Sequence, residues 1–207
     1  MAYLVRTPRL VSKLLFPGYL WNMDETEKTL YLSFDDGPHP EATPYVLDQL
    51  REHNAKATFF CIGKNVAAFP DIYSRIKNEG HRVGNHTMNH LNGWKTGDRE
   101  YINNIMEAAK YIDSKLFRPP YGRITRFQAQ SLKDAANFRI VMWTVLSGDF
   151  DLSITGDQCF KNVKKKSAAG SIVVFHDSEK AMPRMMPALK MTLEHFSKQG
   201  YTFRSIS

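Results

Sequence analysis

Cysteine is scarce in this chain. Cys61 and Cys159 are the two present in 207 residues. Neither belongs to a CxxC pair or lies at zinc-finger distance from a histidine, which excludes a disulfide framework and a thiolate metal knuckle. Both read as free thiols, with Cys61 following the apolar run Ala57-Thr58-Phe59-Phe60 as a small hydrophobe. Long apolar runs are also missing, and nothing approaches the roughly 20 residues of a spanning helix. Repeats, low-complexity tracts and Gly/Ser linkers are absent, so no internal domain boundary is marked. Acids are the minority charge, 21 against 28 Lys plus Arg, for a net +7. The cations are spread along the chain apart from Lys164, Lys165 and Lys166 and the acid-free start bearing Arg6, Arg9 and Lys13. No basic motif interleaved with aromatics points to nucleic acid, so the balance is read as an aid to solubility. Arg6, Pro8, Arg9, Lys13 and Pro17 interrupt the first 21 residues and leave no secretory h-region. A cytoplasmic location is expected, and the sequence leaves the oligomeric state open. The stretch Arg9 to Phe16 is expected as a short amphipathic helix packing across the bottom of the domain.

What is present is material for one substantial core, with 43% hydrophobic and 12% aromatic residues. Short β-branched or aromatic runs predict strands at Thr29 to Phe34, Lys56 to Phe60, Arg82 to Asn85, Arg139 to Trp143, Ser171 to Phe175 and Tyr201 to Ser205. Between them, helices are predicted over Thr43 to His53, Pro70 to Glu79, Asp98 to Lys115, Thr125 to Ala136, Asp157 to Lys166 and Pro183 to Gln199. Alternation of the two implies parallel pairing with right-handed crossovers, hence an α/β architecture, either a barrel or an open sheet. The expected organisation is one domain over residues 29–207, with residues 1–28 as an extension packed on it.

Polar clusters fall at the ends of the strand-like runs, where parallel α/β proteins gather their sites. In LSFDDGPHP an apolar strand runs into Asp35 and Asp36 before Gly37 and Pro38 turn the chain. Neighbours on an extended chain point to opposite sides, so one carboxylate can ligate a metal while the other stays free as a base. In GNHTMNH, His86 and His90 stand four apart, a spacing that puts two imidazoles on one face of a helical turn. Two histidines and a carboxylate with open positions suit Zn²⁺ or another first-row divalent ion in hydrolysis. In FRPPYGR two prolines and Gly122 make a rigid turn that fixes Arg118 and the Tyr121 main chain. In the stretches WTVLSGDFD and IVVFHDS, a histidine follows one apolar strand and acids follow another. His176 beside Asp149 is there a candidate proton carrier.

The clusters FDDGP, HTMNH, RPPYG, SGDFD and VVFHD, in that order and spacing, resemble the five motifs of the NodB-homology polysaccharide deacetylases, carbohydrate esterase family 4. The resemblance covers Thr29 to Ser205. It implies a distorted (β/α) barrel and a hydrolase that removes N-acetyl groups from amino-sugar oligo- or polysaccharides of chitooligosaccharide or peptidoglycan type, releasing acetate. It assigns Asp36, His86 and His90 as ligands of one divalent ion, with Zn foremost and Co, Ni or Mn as substitutes. It makes Asp35 the general base, Arg118 its orienter, His176 the general acid and the Tyr121 amide the oxyanion donor. Three positions depart from the pattern. Ser33 replaces a threonine, a change expected to be harmless. Asp149-Phe150-Asp151 replaces an acid-tryptophan pair, leaving Asp149 as first choice and Asp151 as second for the tether of His176, with Phe150 as pocket wall. Val174 replaces a leucine that lines the acetyl-methyl pocket. The rival readings are a hydrolase of the same fold acting on O-acetyl sugars or a small non-sugar amide, and an inactive sugar-binding module.

Overall fold

A computed structural model describes residues 18–23 and 26–207; the helix expected over residues 9–16 lies outside them. The eight strands are β1 (Thr29–Asp35), β2 (Thr58–Cys61), β3 (Arg82–Asn85), β4 (Leu116–Phe117), β5 (Arg139–Ile140), β6 (Val145–Leu146), β7 (Ile172–His176) and β8 (Thr202–Phe203). The helices are α1 (Ala42–Glu52), α2 (Gly63–Ala68), α3 (Pro70–Asn78), α4 (Asp98–Ala108), α5 (Arg126–Ala136), α6 (Gly156–Lys166) and α7 (Met182–Lys198), with a 3₁₀ turn at Pro120–Gly122. All strand pairs are parallel, in the order β5-β4-β3-β2-β1-β7-β6 with β8 beside the start of β1.

Curling of this sheet makes a half-barrel, as the distorted-barrel expectation requires, and its edges β5 and β6 do not pair with each other among the described residues. Residues 20–23 span the bottom. The Leu20 N–H donates to Ile140 O at 2.9 Å and Leu20 O accepts from the Met142 N–H at 2.7 Å, while the Met23 N–H donates to Gly170 O at 2.8 Å. Among the described residues no helix is long and apolar enough to cross a membrane.

Every residue of β1 is buried, as a central parallel strand covered on both faces requires. Leu30, Leu32 and Phe34 face the helices, in one core with Leu47, Leu50, Phe59, Phe175 and Leu189. The alternate residue Tyr31 faces the barrel interior, in a second cluster with Phe60, Val141, Ile172 and Ile206. Register then sets the levels above that floor: Tyr31 pairs Ile172, Ser33 pairs Val174 and Asp35 pairs His176. The period-2 alternation of β1 therefore lifts a polar column, Ser33 then Asp35, to the carboxyl end of the sheet beside His176.

Three of the shorter elements, β4, β6 and α2, were not foreseeable from periodicity because two to six residues carry no readable pattern. The strand expected over Arg139 to Trp143 pairs as β5 for two residues, after which Val141 bridges Leu20. The expected helix from Asp98 to Lys115 ends at Ala108. Its apolar period continues through buried Ile112, whose N–H still bonds Ala108 O, in a turn that leads into β4. Thr125 caps α5 in a capping box with Gln128, the signal that marks this helix in the sequence. Both cysteines are buried free thiols, and burial raises the pKa of each.

Candidate active site

The carboxyl ends of β1, β3 and β7 and the loops after β3, β4 and β6 converge. Asp36 leaves β1 with φ 84°, off the strand line, while Asp35 stays in register on the inner face. Nε2 of His90 stands 3.2 Å and Nε2 of His86 3.7 Å from Asp36 Oδ1. One donor atom from each of the three lies within 4.8 Å of the other two. Asp36 Oδ1 is buried with no hydrogen-bond partner, and His90, close as it is, lacks hydrogen-bond geometry to it. A buried carboxylate oxygen left unpaired costs free energy, and a cation shared with two imidazoles removes that cost. The donor set thus fits a divalent ion of the zinc type.

The His86 imidazole is in the state a metal ligand needs. His86 is fully enclosed, and burial, reinforced by neighbouring His90, lowers its pKa to about 4 against the pull of Asp35 and Asp36. Its Nδ1 is 2.7 Å from Arg118 O, an atom that can only accept, so Nδ1 carries the proton and the Nε2 lone pair faces Asp36. Nδ1 of His90 is 3.1 Å from the Tyr121 hydroxyl, and the two rings meet edge to face at 4.6 Å. Burial works against the charge on Asp36, yet the surrounding histidines hold its carboxyl well below the usual range.

The helical-turn explanation of the His86 and His90 spacing is incorrect. Residues 86–90 form a non-helical loop after β3, with Thr87 at φ 67° and His90 at φ 57°. The imidazoles meet because the chain folds back there, pinned by Asn85 Oδ1 accepting from the Thr87 N–H at 2.8 Å and by Asn104 Oδ1 accepting from Met88 and Asn89 at 3.0 Å. Of six non-glycine residues at positive φ among those described, four are Asp36, Thr87, His90 and Tyr121. Such conformations cost about 1–3 kcal/mol each and persist where the surroundings enforce them, commonly at functional sites.

Behind the donor set, Arg118 is fully buried and each of its three guanidinium nitrogens finds an acceptor. Nη1 donates to Asp35 Oδ1 at 2.7 Å and to Ser33 Oγ at 2.8 Å, Nη2 to Met142 O at 2.9 Å and Nε to Val141 O at 3.3 Å. The Phe60 ring lies 4.0 Å under its Cζ. That ring occupies the space where a Cβ on Gly84 would stand, 2.5 Å away, so only glycine on β3 admits it. Ser33 is thus a functional part of the support, because its hydroxyl also donates to Val173 O at 3.0 Å. A hydroxyl at position 33 supplies both contacts.

On the other side, Asp149 Oδ1 lies 2.8 Å from His176 Nδ1 and Oδ2 accepts from the His176 N–H at 2.7 Å. Asp151 is turned away, accepting instead from the Ser153 N–H and hydroxyl at 2.9 and 2.7 Å. The structure therefore pairs His176 with Asp149, and the Phe150 ring stands edge-on to the imidazole at 5.3 Å. Burial, the largest single influence, acts to lower the His176 pKa, but the Asp149 carboxylate together with Asp36 and Asp35 more than offsets it and lifts it to about 10. Val174 is buried two residues before His176, on the same face of β7.

Sequence reasoning missed Asp177. Its Oδ1 accepts from the Gly37 N–H at 3.1 Å and its Oδ2 from the Thr43 hydroxyl at 2.5 Å, while its own N–H donates to Asp35 O. A Cβ on Gly37 would sit 2.0 Å from that carboxylate, so glycine is required for the close approach. Burial, with Asp36 close by, pushes the Asp177 carboxyl up to about 8. Together with Asn65, whose amide donates to Asp36 O at 2.7 Å, Asp177 holds the Asp36 loop in place. The aspartate after His176 in VVFHD is the only sequence trace of this role.

Comparison with known proteins gives one consistent answer. The sequence pattern of the polysaccharide deacetylase family matches residues 22–140. A peptidoglycan-N-acetylglucosamine deacetylase of Bacillus cereus is 37% identical over 206 residues, covering 96% of both chains. A chitooligosaccharide deacetylase of Azorhizobium caulinodans is 32% identical, covering 77% of this chain and 79% of its own. The crystal structure of the Bc1960 peptidoglycan N-acetylglucosamine deacetylase superposes with a TM-score of 0.88 at 34% identity, covering 97% of this chain and 95% of that one. A half-barrel carrying all five clusters at one end, matched across its length by such relatives, identifies the chain as a member of the polysaccharide deacetylase family, the NodB-homology group or carbohydrate esterase family 4.

Proposed function

We propose that this protein is a metal-dependent hydrolase removing N-acetyl groups from amino-sugar oligo- or polysaccharides of peptidoglycan or chitooligosaccharide type. One observation carries the reading: a carboxylate and two imidazoles that fit a divalent ion stand between a buried Asp35–Arg118 pair and a partly buried His176–Asp149 pair. Asp36, His86 and His90 would hold the ion, Zn²⁺ foremost. When bound it supplies Lewis-acid chemistry, polarising a carbonyl and acidifying water.

The remaining chemistry belongs to the chain. Arg118 fixes one oxygen of Asp35, leaving the other to take a proton from the attacking water. The Tyr121 amide, set by a rigid Pro-Pro-Tyr-Gly turn with Tyr121 at φ 59°, is the donor for the oxyanion that forms as water adds to the acetyl carbon. His176 holds a proton on the ring nitrogen facing away from Asp149 and delivers it to the departing sugar nitrogen, which otherwise would leave as a poor anion. Phe150 and Val174 supply apolar wall beside that histidine. An inactive sugar-binding module would not keep every proton-transfer position filled and paired.

Acetate release from N-acetylglucosamine oligomers and peptidoglycan fragments tests the reading. The wild type should turn over at least one of these, and Asp35→Asn should lower kcat by about 10²-fold or more, the scale of a lost general base. Turnover of acetylxylan or small amides alone would transfer the assignment to another substrate class.

A further inference from the structure

Trp94 is the exposed tryptophan of this chain. It is 60% accessible, whereas Trp21 and Trp143 are partly buried against the apolar clusters. Its ring is nonetheless fixed. The indole N–H donates to Ile124 O at 3.0 Å, the backbone N–H donates to Asn92 Oδ1 at 3.0 Å, and the Arg123 guanidinium lies over the ring at 4.0 Å. Arg123 itself has no carboxylate partner among the described residues, which leaves its donors available beside the ring.

The position of this pair ties it to the site. Trp94 is four residues beyond His90, at most about 14 Å of extended chain, and Arg123 is two beyond Tyr121, at most about 7 Å. The two segments are zipped together. Gln128 Nε2 donates to Gly93 O at 2.9 Å, and a Cβ on Gly93 would meet Arg123 O at 2.5 Å. Tyr121 in turn reaches His90 through its hydroxyl. Trp94 and Arg123 therefore lie within that reach of the metal donors and of the Tyr121 turn.

We infer that Trp94 and Arg123 form a second saccharide subsite, stacking a sugar unit that neighbours the one losing its acetyl group. The inference rests on the amino-sugar reading above. A flat indole presents an apolar face to the C–H face of a pyranose, and the guanidinium beside it offers donors to the ring substituents. Immobilisation by Ile124 and Arg123 removes most of the ordering cost of such a contact. A single ring flanked by a cation is far smaller than the area a protein partner needs, but it matches one sugar unit.

The test compares wild type, Trp94→Ala, Trp94→Phe and Arg123→Gln on the pentamer and dimer of N-acetylglucosamine and on an aryl acetate. Pentamer binding is measured separately by calorimetry in an Asp35→Asn background. Trp94→Ala should lower kcat/KM for the pentamer about tenfold more than for the aryl acetate, chiefly through KM, as expected for loss of a contact near 1.4 kcal/mol. Trp94→Phe should recover most of the loss, and Arg123→Gln should show a smaller loss of the same kind. Equal loss on pentamer and aryl acetate, or unchanged pentamer affinity in Trp94→Ala, overturns the subsite. Pentamer binding that depends on Trp94, with no acetate released by the wild type from any sugar, supports the subsite and refutes deacetylation instead.

Discussion

Replacing His176 by alanine should lower hydrolysis of an N-acetyl sugar by about 10²–10⁴-fold, the range for a lost general acid, with a much smaller loss on an activated aryl acetate. The difference follows from the leaving group. An amine nitrogen must be protonated as it departs, whereas a nitrophenolate leaves without help. His176 is equipped for this because Asp149, with Asp36 and Asp35, more than offsets burial and raises the imidazolium pKa to about 10. The sign of the pH effect follows. The histidine is protonated below its pKa and loses its proton as pH rises through it, so it defines the alkaline limb of kcat. Asp149→Asn removes the carboxylate that raises the pKa and should move that limb to lower pH, while Asp151→Asn, whose side chain serves Ser153, should leave it in place. Equal losses on amide and activated ester in His176→Ala would assign the histidine to binding or to the fold.

Arg118→Met should destabilise the fold by about 3–5 kcal/mol, the cost of removing one partner from a buried ion pair. The size comes from what remains. Asp35 is buried and would lose its ion-pair partner, and the carbonyls of Met142 and Val141 and the Ser33 hydroxyl would each lose a donor. Methionine fills most of the volume above Phe60, so the loss is electrostatic more than a matter of packing. Adding Asp35→Asn removes the stranded charge and should restore part of the stability without restoring activity. Denaturant unfolding of both variants decides it. A loss under about 1 kcal/mol for Arg118→Met, in the range of an exposed pair, would show that water reaches this carboxylate and that the pair is not a sealed support.

The clusters at strand ends were legible because carboxyl ends of parallel strands place polar residues where sites form, and Asp35, Asp36 and His176 each lie at or just past such an end, whereas Arg118 follows the unforeseen β4 and was marked by its proline-rich turn. Their spacing did not give the path between them. His86 and His90 meet through a loop with two left-handed residues, held by the local Thr87–Asn85 bond and by Asn104, 15 to 16 residues on, accepting from Met88 and Asn89, so the histidine spacing alone does not reveal the loop's path. The sequence ranked Asp149 over Asp151 without excluding either; the structure separates them, Asp149 bonding His176 and Asp151 occupied by the Ser153 turn. The roles of Asn65 and Asp177 were overlooked for the same reason: each works through a partner 29 or 140 residues away. The open edge between β5 and β6 was also hidden, since strand periodicity does not say whether a parallel sheet closes.

The central claim is that Asp36, His86 and His90 hold one divalent ion, with Asp35 beside it free of that duty. It is tested most directly by metal content per chain, measured after chelation and reloading with Zn²⁺ or Co²⁺, in wild type, Asp35→Asn and Asp36→Asn. The account predicts about one tightly held ion per chain in wild type and in Asp35→Asn, as expected of a single three-donor set, and strongly weakened binding in Asp36→Asn. No bound metal in the reloaded wild type, or equal retention by both variants, would contradict it.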